Sequence, residues 1–95
     1  MVNKNLYMIK VDKQDENTFQ VTVDEDNSKS THTVTLDDQY HKKLSGGIIP
    51  KEELIKKSFE FLLEREPKES IMRSFNLKVI SKFFPEYESY ISMQH

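Results

Sequence analysis

The segment Pro50–Glu66, PKEELIKKSFEFLLERE, is the longest strongly periodic stretch of the chain. Leu54, Ile55, Ser58, Phe59, Leu62 and Leu63 recur at three- and four-residue spacing, while Lys51, Glu52, Lys56, Lys57, Glu60 and Glu64 fall mostly on the opposite side. This is the pattern of a helix buried along one face. Phe61 widens the apolar side. Pro50 suits the first helical position, Glu52 and Glu53 complement the positive end of the helix dipole, and Pro67 pushes Glu66 out of helical conformation. The spacing predicts a helix over 50–66, and its apolar face needs another layer to cover it.

Towards the N-terminus, Ile48 and Ile49 lead into this helix as an apolar connection, and one of them is expected to pack back on the core. Before them, Ser45-Gly46-Gly47 ends a short helix over Gln39–Leu44, for which Asp37 and Asp38 are N-cap candidates. The first third reads as strands. Tyr7, Ile9 and Val11 share one face of Leu6–Val11, Phe19, Val21 and Val23 one face of Thr18–Asp24, and His32, Val34 and Leu36 one face of Thr31–Leu36. The linkers Asp12–Asn17 and Glu25–Ser30 are polar and rich in turn formers, so an antiparallel meander with one wet face and one core face is expected. Leu6 and Met8 then lie exposed on the wet face, which marks them as candidate interface residues.

Towards the C-terminus, Lys68–Phe75 suits about two helical turns, with Ile71, Met72 and Phe75 as its apolar contacts. Asn76 can cap a further helix carrying Leu77, Val79, Ile80, Phe83 and Phe84 as a core stripe. Pro85 ends that helix and opens a last turn in which Tyr87, Tyr90 and Ile91 keep helical spacing. These three, close to the C-terminus and partly polar, are the other candidate partner surface. Ser92–His95 reads as a frayed end.

Ninety-five residues with 36% hydrophobic and 11% aromatic content suit one domain, with 1–36 as a strand region and 37–95 as a helical region. Fourteen basic and sixteen acidic residues give a formal charge of −2, so no sequence-wide attraction to nucleic acid or anionic membrane exists. There is no cysteine, which removes disulfides and thiolate metal sites. With no apolar run of signal-peptide or membrane-spanning length, the expected compartment is the cytoplasm. The two glycines are adjacent, so no phosphate-cradling loop is present.

Three groupings could carry chemistry. Asp37, Asp38 and His41 have a spacing at which carboxylate and imidazole can share a face around a divalent ion, but a helix start selects Asp for capping and stable sites want three or more converging ligands. Glu60, Glu64, Arg65 and Glu66 alternate with Lys56, Lys57 and Lys68, which suits a solvated face with i,i+4 pairs better than an acid–base pair. The aromatic residues from Phe59 to Tyr90 match core stripes better than a stacking platform. No catalytic, cofactor-binding or metal residue is assigned.

Two resemblances bear on the chain. The order strand, short helix, turn, longer helix over Thr31–Arg65 resembles a ribbon-helix-helix DNA-binding module of the antitoxin kind. In that family the strand pairs across a dimer and its outward residues read the major groove, a role the resemblance gives to Thr31, Thr33 and Thr35. Here the first helix is short, two strands precede the motif and no basic cluster flanks it. The segments EELI, SFEFLLEREPKESI and FPEYE, within Leu44–Ile91, resemble a family of short uncharacterised bacterial and archaeal proteins. That resemblance implies a recurrent small domain and brings no activity with it.

The resulting expectation is an α+β fold, a small antiparallel sheet of about three N-terminal strands packed on three to five C-terminal helices. The function expected is non-enzymatic and works through contacts with a protein partner, including a homodimer. A ribbon-helix-helix-like regulator ranks second and a small enzyme third.

Overall fold

The computed structural model describes residues 7–25 and 28–93. It is an α+β fold in which β1 (Tyr7–Lys13), β2 (Thr18–Glu25) and β3 (Ser28–Thr35) form an antiparallel meander. The helices follow as α1 (Asp38–Ser45), α2 (Lys51–Leu63), α3 (Ile80–Phe83) and α4 (Tyr87–Ser92), with 3-10 turns at Lys68–Ser70 and Leu77–Val79. The register places Val11, Val21 and His32 side by side on the core face, next to a row of Phe19 and Val34. The other face carries Lys10, Thr22 and Thr31 in one row and Asp12, Gln20 and Thr33 in the next. Period-two alternation is what makes such a two-sided sheet.

Local chemistry explains the element ends. Between β1 and β2, Asp15 Oδ1 accepts from the backbone N–H groups of Asn17 and Thr18, and these bonds hold its carboxyl below the usual range. Asp37 caps α1 by accepting from Tyr40 N at 2.8 Å, and Gly46 closes the helix at φ 69°, a conformation that a side chain would strain. Pro50 is the N-cap of α2 rather than its first helical residue. The helix ends at Leu63, before the expected Glu66, because Arg65 N and Glu66 N both bond to Leu62 O in a tightened last turn. Ile49 packs against the core and Ile48 is exposed.

A fourth strand was not expected. Ser74–Asn76 forms β4, parallel to β3, with Thr33 opposite Ser74 and Thr35 opposite Asn76. The sheet order is β1-β2-β3-β4. The two helical turns read over Lys68–Phe75 reduce to the 3-10 turn, after which Ile71 is extended. Pairing with the free side of β3 outweighs the weak local preference for helix, so the region after residue 37 is not wholly helical. The β2–β3 linker is also shorter than Glu25–Ser30, since β3 begins at Ser28; Asp26 and Asn27 lie outside the described residues.

The core lies between the sheet and the helices. Phe59 and Phe61 of α2 are fully buried, as are Phe19, Leu36, Leu54, Leu77, Tyr87 and Ile91. Ser58 is buried with them: its Oγ donates to Leu54 O, which leaves the Tyr87 hydroxyl to donate to Ser58 Oγ at 2.6 Å. Lys68, expected on a solvated face, is buried instead, with its ammonium 3.0 Å from Glu69 and 3.3 Å from Glu25. The hydrogen bond to Glu69 raises its pKa first, with that to Glu25 adding to it, so the buried group stays charged. The i,i+4 pairs expected along α2 are absent among the described residues. Its ion pairs sit at the ends, Lys51 with Asp38 and Arg65 with Glu64 and Glu86.

Candidate functional site

Beyond α2 the chain has to bury a short aromatic run with very little helix. α3 is only four residues long and Phe84 behind it is extended, so adjacent Phe83 and Phe84 cannot both turn inwards. Phe84 packs against Phe61 at 5.8 Å, whereas Phe83 is 65% exposed. The stripe expected to bury Phe83 therefore breaks at that residue. Across from it the segment 71–73 carries Met72, 42% exposed.

Between these two side chains lies a cleft of about 360 Å³, floored by Leu62, Ile71, Phe75 and Ile80. Glu66 and Ser70 are the polar residues of its lining. A volume of this order accepts one large apolar side chain or a small apolar ligand. With Glu66 as the one ionisable group in the lining, the cleft offers no acid–base pair.

The Met72 wall is tied to the sheet. His32, 1% exposed on β3, has Nδ1 2.7 Å from Met72 O and Nε2 2.8 Å from Ser30 Oγ, and its ring lies 5.3 Å from that of Phe59. Burial holds the imidazole below its ordinary pKa, with the nearby Arg73 charge acting the same way and the bond to Met72 O opposing them. In the neutral ring Nδ1–H donates to Met72 O and Nε2 accepts from the Ser30 hydroxyl. Next to it, Thr33 N donates to Arg73 O at 2.7 Å.

A second, polar cleft is lined by Asp37, Tyr40, Lys43, Lys78, Lys82 and Glu88, among others. The Tyr40 hydroxyl donates to Glu88 Oε2 at 2.8 Å, and burial followed by this bond pushes its pKa far above the usual phenol value. Such a hydroxyl stays protonated and serves as a structural donor.

The residues singled out from sequence fare differently. Thr31 and Thr33 are exposed and Thr35 half-buried, but Thr33–Thr35 are paired on both sides, by β2 and by β4. The ribbon-helix-helix arrangement needs that strand free to pair across a dimer, and here the fourth strand occupies the place. Met8 is 75% exposed, and Leu6 lies outside the described residues. Tyr87 and Ile91 are fully buried, which corrects their assignment to a partner surface; Tyr90 is half-buried, 5.0 Å from Phe61. Asp37, Asp38 and His41 point to three separate partners: Tyr40 N, Lys51 and, through Nε2, Ile49 O. Among the described residues no group of three or more His, Asp or Glu side chains converges.

Phe83 and Met72 were missed as site residues. The signal was the Phe-Phe-Pro sequence, in which two neighbouring aromatics precede a helix stop and only one can follow the stripe. No helix among the described residues is long and apolar enough to cross a membrane. No family model matches the chain, and no curated protein or solved structure matches it.

Proposed function

We propose that this protein is a non-enzymatic binding module that holds a partner protein by an apolar side chain seated between Phe83 and Met72. The observation that carries this reading is Phe83, a large aromatic 65% exposed at the mouth of an apolar cleft in a chain whose other phenylalanines are buried or half-buried. Covering such surface is worth about 1.5–3 kcal/mol per large apolar side chain, enough to anchor a peptide segment. The compartment that goes with this reading is the cytoplasm.

A random peptide library displayed on phage and selected on the folded protein tests it. Enriched peptides are expected to share an aliphatic or aromatic anchor and to bind Phe83→Asp about tenfold or more weakly, with the melting temperature of the variant unchanged. Absence of enrichment, or binding indifferent to both Phe83→Asp and Met72→Asp, would remove the reading. A DNA-binding role for Thr31, Thr33 and Thr35 makes the opposite demand. At low salt we expect no enrichment from a random duplex library; a palindromic site weakened by Thr33→Ala in a folded protein would put the regulator first.

A further inference from the structure

β1 is the outermost strand of the sheet, and none of the described residues pairs with its outer side. Its core-face side chains Tyr7, Ile9 and Val11 pack against the core yet stay only half-buried, because the layer stops at this edge. A cleft of about 450 Å³ runs along it, between Tyr7, Met8 and Ile9 on one side and Lys56 and Glu60 of α2, with Glu64 just past its end, on the other. Unpaired strand edges recruit further strands, and charges on the edge decide which ones.

We propose that β1 pairs antiparallel with β1 of a second copy, about a two-fold axis passing between the two Val11 residues. The charge order of the strand selects this occupant and this register. Lys10 and Asp12 flank Val11 and share the open face of the sheet, so the two-fold places each Lys10 opposite the partner's Asp12 and each Asp12 opposite the partner's Lys10. Val11 meets the partner's Val11 on the core face, where both are half-buried alone. The register shifted by one residue centres on Lys10 and sets two ammonium groups opposite each other, which disfavours it. The result joins two sheets edge to edge with their polar faces on one side and leaves the Phe83 cleft of each copy free. The ladder spans few residues, so the dimer is weak and concentration-dependent, as small interfaces are.

Sedimentation velocity of the full chain over a concentration series up to about 1 mM, at low salt, reads the equilibrium. Lys10→Asp and Asp12→Lys each turn both attractive pairs repulsive, and each is expected to weaken the dimer about tenfold. The double variant restores the pairs in reversed order and recovers the wild-type affinity. Both residues are exposed, so an unchanged melting temperature verifies that each variant is folded. The natural chain has no cysteine, so Val11→Cys adds a single thiol that should form a disulfide-linked dimer under mild oxidation. A monomer throughout, a dimer indifferent to the single swaps, or failure of the double variant to recover would overturn the proposal. So would a dimer abolished by Phe83→Asp and untouched at β1, which would move self-association to the cleft.

Discussion

Phe61 and Leu62 are neighbours on α2, and the apolar surfaces they build end in different ways. Around Phe61, Phe84, Tyr87 and Tyr90 close in at 5.8, 5.2 and 5.0 Å, and the Arg65 guanidinium lies 3.7 Å above the ring, held by Glu86 at 3.2 Å and by Phe61 O at 3.0 Å. Around Leu62, Ile71, Phe75 and Ile80 make the floor of the cleft, with Met72 and Phe83 exposed at its rim. One side is finished within the chain, by a cation whose flat face covers an aromatic ring. The other stops a layer short. The comparison teaches that a small domain can leave apolar surface open next to a sealed core when the closing element, here α3, is too short.

The strongest way to break this comparison is to empty each side. Phe61→Ala removes a fully buried ring from a closed cluster and should cost about 3–5 kcal/mol, whereas Leu62→Ala enlarges a cleft that already meets solvent and should cost about 2–3 kcal/mol. Denaturant melts check both. Equal losses would mean that the two sides are equally packed.

The tether of the open side responds to pH. His32 has a folded pKa below its unfolded value of about 6.5, so the unfolded chain binds more protons in the interval between them. The stability associated with neutral His32 is therefore complete above about pH 6.5 and falls as the pH drops towards the folded value, by no more than about 1.4 kcal/mol per pH unit. Melting temperatures taken from pH 7.5 to 5 should lose part of that slope in His32→Gln. If the slope is unchanged, the acid sensitivity comes from other groups.

The smallest effects sharpen the contrast between lid and rim. Arg65→Ala strips the cover from Phe61 and its pair with Glu86, and a partly exposed cation–π contact of this kind should cost about 1 kcal/mol. Phe83→Ser removes a side chain that touches solvent more than core and should stay within about 0.5 kcal/mol of wild type. A large loss at Phe83 in a thermal melt would make it a core residue and take away the basis of the proposed binding site.

The sheet meander and α2 were legible because their periods are strict: Phe19, Val21 and Val23 alternate, and Leu54, Ile55, Phe59 and Leu62 recur on one helical face, all of them buried. Asn76 was readable as a cap for the same local reason, and its side chain does accept from Lys78 N. β4 was not legible. Three residues, Ser74–Asn76, are too few to show a period, and what makes them a strand is β3, far away in sequence. Lys68 was misplaced because its identity signals solvent, while its burial depends on Glu25, which only the folded chain brings within reach. The open cleft fell between these cases: the Phe83-Phe84-Pro85 run implied a break in the stripe, but only the geometry of α3 decides which phenylalanine is left outside.

The parallel strand also sets an order of events during synthesis. β1, β2 and β3 are neighbours in sequence and join by hairpins, so they can pair as soon as they leave the ribosome. The His32 tether to Met72 closes a gap of 40 residues, and the last ladder, of similar span, must wait until Asn76 has been added. Until α2 is made the nascent meander shows its Phe19, Val21, Val23 and Val34 face, and until β4 is made the outer side of β3 stays unpaired. Exposure of unpaired strand and apolar surface is therefore expected to be greatest in a translation intermediate, and chaperone dependence should track the elongation rate over residues 36–76 more closely than the stability of the finished fold.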